Sequence, residues 1–136
     1  MKTIKAGCFL IDKENKMIAL IHREKQDDYS FPKGHVEQGE DIKSAAIRET
    51  AEETKRDAII VDKFAPFVEK YVSSRGEDCE CHMFIALDNG LSKNDSEDTH
   101  ELCWTKFEKV EERLSYESLK TTWRAVKQNI EALLNK

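Results

Sequence analysis

Apolar and polar positions alternate with a period of two over residues 3–11 (TIKAGCFLI) and 16–22 (KMIALIH), which predicts two strands. The polar stretch DKEN between them has the length of a hairpin connection, so the pair is expected to be antiparallel. A polar loop, Arg23 to Ser30, leads to Phe31-Pro32-Lys33-Gly34, where proline sets the chain direction and glycine admits a close approach of backbone. Gly39, Glu40 and Asp41 form a helix start signal, because negative charge in the first turn complements the helix dipole and Asp41 can cap free backbone N–H groups. That helix is expected to run to about Thr54. Beyond it, AIIVDKFAPFVEKYV is apolar and β-branched but broken at Pro66, as one bent strand or two short ones; SSRGED is a turn, and CECHMFIAL returns antiparallel. Residues 88–101 are polar, acidic and loop-like, LCWTKF is a short strand, and the remainder is helical. Leu119, Trp123, Val126, Ile130, Leu133 and Leu134 recur at three and four residues, which predicts one packed face, with Trp123 in the core. Strands, helix, strands and closing helix in this order fit an α/β chain, an α/β/α sandwich around a mixed sheet, as a single domain over residues 1–136.

Composition narrows the class. A chain of 136 residues with 39% hydrophobic and 36% charged positions is long enough for one substantial core. No apolar run approaches the roughly 20 residues of a membrane span, and the first residues read as a strand, so a cytoplasmic protein without membrane attachment is expected. The net charge of −5 and the lack of a Lys/Arg-rich stripe argue against nucleic acid as a partner. Cys79 and Cys81, two apart on a predicted strand, face one side and are expected to be small core residues; a zinc site would draw more widely spaced ligands from turns. Nothing in the pattern addresses the oligomeric state.

The predicted helix changes the picture, because it concentrates carboxylates. At about 100° per residue, Glu49, Glu52 and Glu53 fall on one face with Ile42, Ala45 and Ala46, and only Arg48, four residues before Glu52, answers their charge locally. Like charges three and four residues apart each cost a helix roughly 0.2–0.5 kcal/mol, more beside apolar surface. A cation must compensate, and carboxylate oxygens suit a hard divalent ion, Mg²⁺ or Mn²⁺, which also shares itself with substrate phosphates.

The spacing is specific as well. Gly34, five residues, Glu40, seven residues, Arg48-Glu49, two residues and Glu52-Glu53 match all six fixed positions of the Nudix box, and the chain resembles a Nudix hydrolase. It departs from the box at Thr50 and Arg56, where the family carries aliphatic residues, and at Lys55, where it carries glycine. A glycine past a helix end takes the left-handed conformation; a lysine there must either adopt it at a cost of about 1 kcal/mol or end the helix differently.

The resemblance implies hydrolysis of a nucleoside diphosphate linked to another group, by water attacking phosphorus. On that reading Glu49, Glu52 and Glu53 hold the metal, joined by the backbone carbonyl of Lys33 or Gly34. Arg48 orients Glu49, and Glu40 fixes the loop-to-helix geometry. The general base is Glu49 within the box or, outside it, Glu101 ahead of Glu97. The run PKGHVE is similar to the box of Nudix enzymes acting on diadenosine polyphosphates or diphosphoinositol polyphosphates, which makes a dinucleoside polyphosphate the first choice of substrate. Lys33, Arg23, Lys25 and Arg75 are the loop cations such a chain of phosphates would need, while Tyr29, Phe31 and Tyr71 give little with which to discriminate a base. Rival readings are a pyrophosphatase of nucleoside triphosphates and a Nudix-fold module that binds a nucleotide without cleaving it; the complete carboxylate set argues against the latter.

Overall fold

In the computed structural model, which describes residues 2–135, β1 (Lys2–Asp12) is the spine of an eight-stranded mixed sheet. Along one edge it runs parallel to β7 (Asp78–Leu91), in register from Lys2↔Asp78 to Ile11↔Leu87. Its other edge is shared. The far end pairs with β2 (Met17–Arg23) at Ile11↔Ile18 and Asp12↔Met17, whereas Lys5, Ala6 and Gly7 pair with His35, Gly34 and Lys33 of β4 (Lys33–His35). The sheet therefore splits after the hairpin, and β4 enters the gap. Gly7 permits this: a Cβ there would lie 2.1 Å from the Pro32 carbonyl oxygen.

β2 also pairs antiparallel with β3 (Asp28–Ser30) and with β8 (Glu101–Lys106). β5 (Arg56–Ile60) and β6 (Phe67–Val72) occupy successive halves of β7, so the segment around Pro66 is two short strands. β7 extends to Leu91, four residues past the expected end, because β5 supplies partners as far as Arg56↔Leu91. β3 and β4 lie in the stretch read as loop; three residues are too few to show a period, and both are set by their neighbours.

Alternation along β1 separates two cores. Phe9 and Ile11 face a layer closed by a 3₁₀ turn (Phe107–Lys109), α2 (Val110–Arg113) and α3 (Glu117–Leu134). Trp123 is buried there, its ring 5.4 Å from Phe107 and 6.2 Å from Phe31, in the core as its spacing predicts. Cys81 belongs to the same core, and Cys79 is also buried. Ala6, Cys8 and Leu10 face the other layer, where Ala45 and Ala46 of α1 (Ile42–Thr54) pack on small residues and bring this helix close to the sheet. Among the described residues no helix is long and apolar enough to cross a membrane.

Candidate active site

α1 begins as the sequence predicts: Asp41 caps it, its carboxylate accepting from the Ser44 amide at 3.1 Å. Its buried face runs through Ala45, Ala46, Thr50, Ala51 and Thr54. Glu49, Glu52 and Glu53 thus border the buried stripe instead of sharing its centre, and Glu49 and Glu53 meet β4 where it is inserted beside β1. The Thr50 hydroxyl is wholly buried without a hydrogen bond, its polar neighbour being the Cys8 thiol.

Here a cleft of about 860 Å³ opens. Glu49, Glu52 and Glu53 form one wall, Lys33, Gly34 and His35 of β4 another, and Arg23 of β2 and residues 97–100 close it. Arg48 organises the acidic wall. Its Nε and Nη2 donate to both oxygens of Glu40 (2.7 and 2.8 Å), its Nη1 to Glu49 and Glu52 (3.1 Å each), and Nη2 also to the His35 carbonyl (3.0 Å). Glu40 in turn accepts from the Glu37 amide at 3.0 Å. The Arg48 guanidinium beside it, and then that amide, hold the Glu40 carboxyl at about 2, well below its ordinary value.

Glu53 faces away from this network. Its Oε1 accepts from the Lys33 amide at 3.0 Å, and burial pushes its carboxyl up to about 7; that hydrogen bond only partly opposes the loss of water. Glu49 is also raised, first by burial and then by the Glu52 charge, against the pull of Arg48. Loss of water is thus the main reason that both carboxylates resist ionisation, and Arg48 offsets it only in part at Glu49. Among the described residues no set of three acidic, histidine or cysteine side chains converges on one point as metal ligands do. The donor set nonetheless fits a hard divalent cation: carboxylate oxygens border one cleft, and burial makes two of the carboxylates resist ionisation, which a bound cation would reverse. Gly34 belongs to the same constellation, since a Cβ there would fall 2.2 Å from the Glu49 carboxylate. Gly34→Ala is expected to push the Glu49 carboxylate from its place beside Arg48, lowering the unfolding midpoint by roughly 5 °C or less while kcat drops about tenfold, a loss of about 1.4 kcal/mol in transition-state stabilisation. Thermal unfolding and steady-state kinetics of the one variant check both halves.

Not every predicted site residue reaches the cleft. Arg75 is absent from its lining and sits in the β6–β7 turn, where its amide donates to the Ser73 hydroxyl. Glu101 is also outside: it opens β8 opposite His22, and its carboxylate lies 3.1 Å from His22 Nδ1, 60% exposed. Glu97 does line the cleft. Arg23 lines it too, but its Nε and Nη2 are both committed to the buried Asp28, at 2.8 and 2.5 Å. Sequence reasoning missed Lys5, Asp98 and His100, which also border the cleft; the acidic run at 95–98 was the available signal for the loop that bears the last two.

The family model of the NUDIX domain matches residues 1–126, and the chain belongs to the Nudix family. Among curated proteins, an 8-oxo-(d)GTP phosphatase of Mycolicibacterium smegmatis is 49% identical over 43 residues, which are 32% of this chain and 13% of that protein; the chain thus matches only a small part of this relative. Among solved structures, an Ap4A hydrolase of C. elegans, in a binary complex, superposes with a TM-score of 0.72 at 22% identity, covering 98% of both chains. A NUDIX hydrolase from Nitrosomonas europaea gives a TM-score of 0.72 at 16% identity, over 89% of this chain and 85% of that one. At these identities the structures speak to the fold: a Nudix fold, mixed sheet between helices.

Proposed function

We propose that this chain is a divalent-metal-dependent pyrophosphohydrolase, cleaving a nucleoside diphosphate linked to another moiety. The observation that carries the reading is the pair of desolvated carboxylates, Glu49 and Glu53, on the wall of a large cleft whose other side presents Lys5, Lys33 and His35. Glu49, Glu52 and Glu53, with a backbone carbonyl of β4, would hold Mg²⁺ or Mn²⁺. Such an ion supplies a lowered pKa to bound water and neutralises charge on phosphoryl oxygens.

The chain's own residues do the rest. Arg48 holds Glu49 and Glu52 at fixed positions through one shared Nη1, so neither carboxylate must reorganise during the reaction. Glu49, buried enough to bind a proton more tightly than a free carboxylate, is suited to take one from the attacking water, and Glu97 is the alternative base within the same cleft. The Lys33 side chain borders the cleft beside the acidic wall, where it can meet a phosphate oxygen.

For substrate, a dinucleoside polyphosphate remains the first choice. A long polyphosphate carries charge beyond what metal ions cover, and Lys5, Lys33, His35 and His100 are spread around the cleft instead of forming one clamp. The short match to the 8-oxo-(d)GTP phosphatase favours a monomeric nucleotide as the second reading. Comparing kcat/KM for diadenosine tetraphosphate, ATP, dGTP, oxidised dGTP and an ADP-sugar at one Mg²⁺ concentration separates the two. Diadenosine tetraphosphate is expected to lead, and Lys33→Ala to lower its kcat/KM about tenfold, or about 1.4 kcal/mol. Preference for a monomeric nucleotide, or a Lys33 variant that loses nothing, removes the dinucleotide assignment and leaves the pyrophosphohydrolase in place.

A further inference from the structure

The loop of residues 92–100, one wall of the cleft, has neither helix nor strand of its own, yet it is tied to the last turn of α1 at several points. Ser92 N donates to the Lys55 carbonyl at 2.9 Å and His100 N to the Glu53 carbonyl at 3.0 Å, while the Thr99 hydroxyl donates to the Glu52 carbonyl at 3.0 Å. These are helix-end carbonyls that have no partner within the helix. Bonds also run the other way. Lys55 Nζ reaches into the loop and donates to the carbonyls of Asn94 (3.0 Å) and Ser96 (2.6 Å).

Lys55 is the residue that stands where the Nudix box has glycine, and it adopts the left-handed conformation, φ 61°, that a side chain disfavours. Glycine would satisfy the backbone better but would carry no ammonium. What the ammonium does is plain from the charges around it. Asp95, Glu97 and Asp98 give the loop a negative balance against Lys93, and it lies on a helix end that carries Glu49, Glu52 and Glu53 with only Arg48 on the same helix to answer them. Repulsion would push this loop away from α1. Holding the carbonyl of Ser96, the residue just before Glu97, sets where Glu97 and Asp98 enter the cleft.

We propose that Lys55 is a positioning residue: by clamping the 92–100 loop to the end of α1 it keeps Glu97 and Asp98 in the cleft with Glu49, Glu52 and Glu53. The kinetic side of this proposal rests on the pyrophosphohydrolase reading; the clamp itself does not. The test uses the full chain and three variants. Lys55→Gly removes the ammonium and relieves the left-handed backbone, Lys55→Met removes the ammonium alone, and Lys93→Met removes an exposed charge of the same loop while leaving the Lys55 ammonium in place.

In metal-free protein, the Ser92 and His100 amides of Lys55→Gly are expected to exchange hydrogen at least about tenfold faster than in the wild type, with an unfolding midpoint equal or higher. On the best substrate with Mg²⁺, both Lys55 variants are expected to lose about tenfold in kcat with KM within about twofold, and Lys93→Met to match the wild type in exchange and rate. Wild-type exchange at Ser92 and His100 in Lys55→Gly overturns the clamp. Faster exchange with unchanged kcat, or a Lys93 variant as impaired as the Lys55 variants, overturns the positioning role. A wild-type protein that hydrolyses none of the substrates defeats the pyrophosphohydrolase reading instead, and the exchange data then decide the clamp alone.

Discussion

Glu53→Gln is expected to abolish turnover while making the metal-free protein more stable. The amide oxygen of glutamine can still accept from the Lys33 amide, so the contact between α1 and β4 survives, and what disappears is one negative charge in a desolvated site. If Glu53 holds the cation, the rate on any substrate falls about a hundredfold or more, roughly 2.7 kcal/mol. Retention of more than about a tenth of the wild-type rate shows that it does not. Stability supplies an independent readout through pH. The Glu53 carboxyl titrates at about 7 in the folded chain against 4.5 ordinarily, so as pH rises through this window the unfolded chain releases its proton first and the folded state binds more. Wild-type stability in a chelator must therefore fall between about pH 4.5 and 7 and level off above, by on the order of 3 kcal/mol from this group. The Gln variant lacks that slope. Parallel unfolding midpoints for the two proteins across the window would show that Glu53 ionises freely.

Arg48→Ala should damage stability and rate together. It leaves Glu40, Glu49 and Glu52, whose side chains are only 17%, 13% and 20% exposed, without the guanidinium that binds all three, and it releases the His35 carbonyl. Breaking a fully buried pair costs about 3–5 kcal/mol, and partial exposure reduces this to roughly 2–3 kcal/mol. For a chain of this size that lowers the unfolding midpoint by roughly 10 °C. Glu49 and Glu52 also lose the group that orients them, so kcat is expected to fall about a hundredfold. Arg48→Lys keeps the charge without the fork and should lie between wild type and Ala in both measurements. A midpoint and kinetics unchanged in Arg48→Ala would reduce Arg48 to an exposed helix residue.

The contrast between Arg48 and Arg23 shows where reading a sequence stops. Arg48, Glu49 and Glu52 are neighbours on one helix, so their spacing already brings them together, and the 3.1 Å bonds to Glu49 and Glu52 are local. Arg23 was a free loop cation by sequence, yet β3 turns back on β2 and gives it Asp28, a partner shared with the Tyr116 hydroxyl 88 residues further on. No local pattern announces that pairing. Glu101 and Glu97 differ in the same way: both belong to one acidic run, and only the register of β8 against His22 turns Glu101 away from the cleft.

By itself the sequence determined what depends on short-range periodicity and fixed spacing: the first hairpin, α1 with its Asp41 cap, the packed face of α3, and the acidic wall that the Nudix box writes on a single helix. The tertiary structure alone decided what depends on meetings between distant segments. It inserted β4 into the gap along β1, so that Gly34 lies against Glu49 and the Lys33 amide against Glu53. It also laid the 92–100 loop on the end of α1, with Lys55 reaching across to residues 94 and 96. The physical reason is that a helix brings residues three and four apart together whatever surrounds it, whereas a three-residue strand or a loop acquires its conformation from the partners that satisfy its backbone.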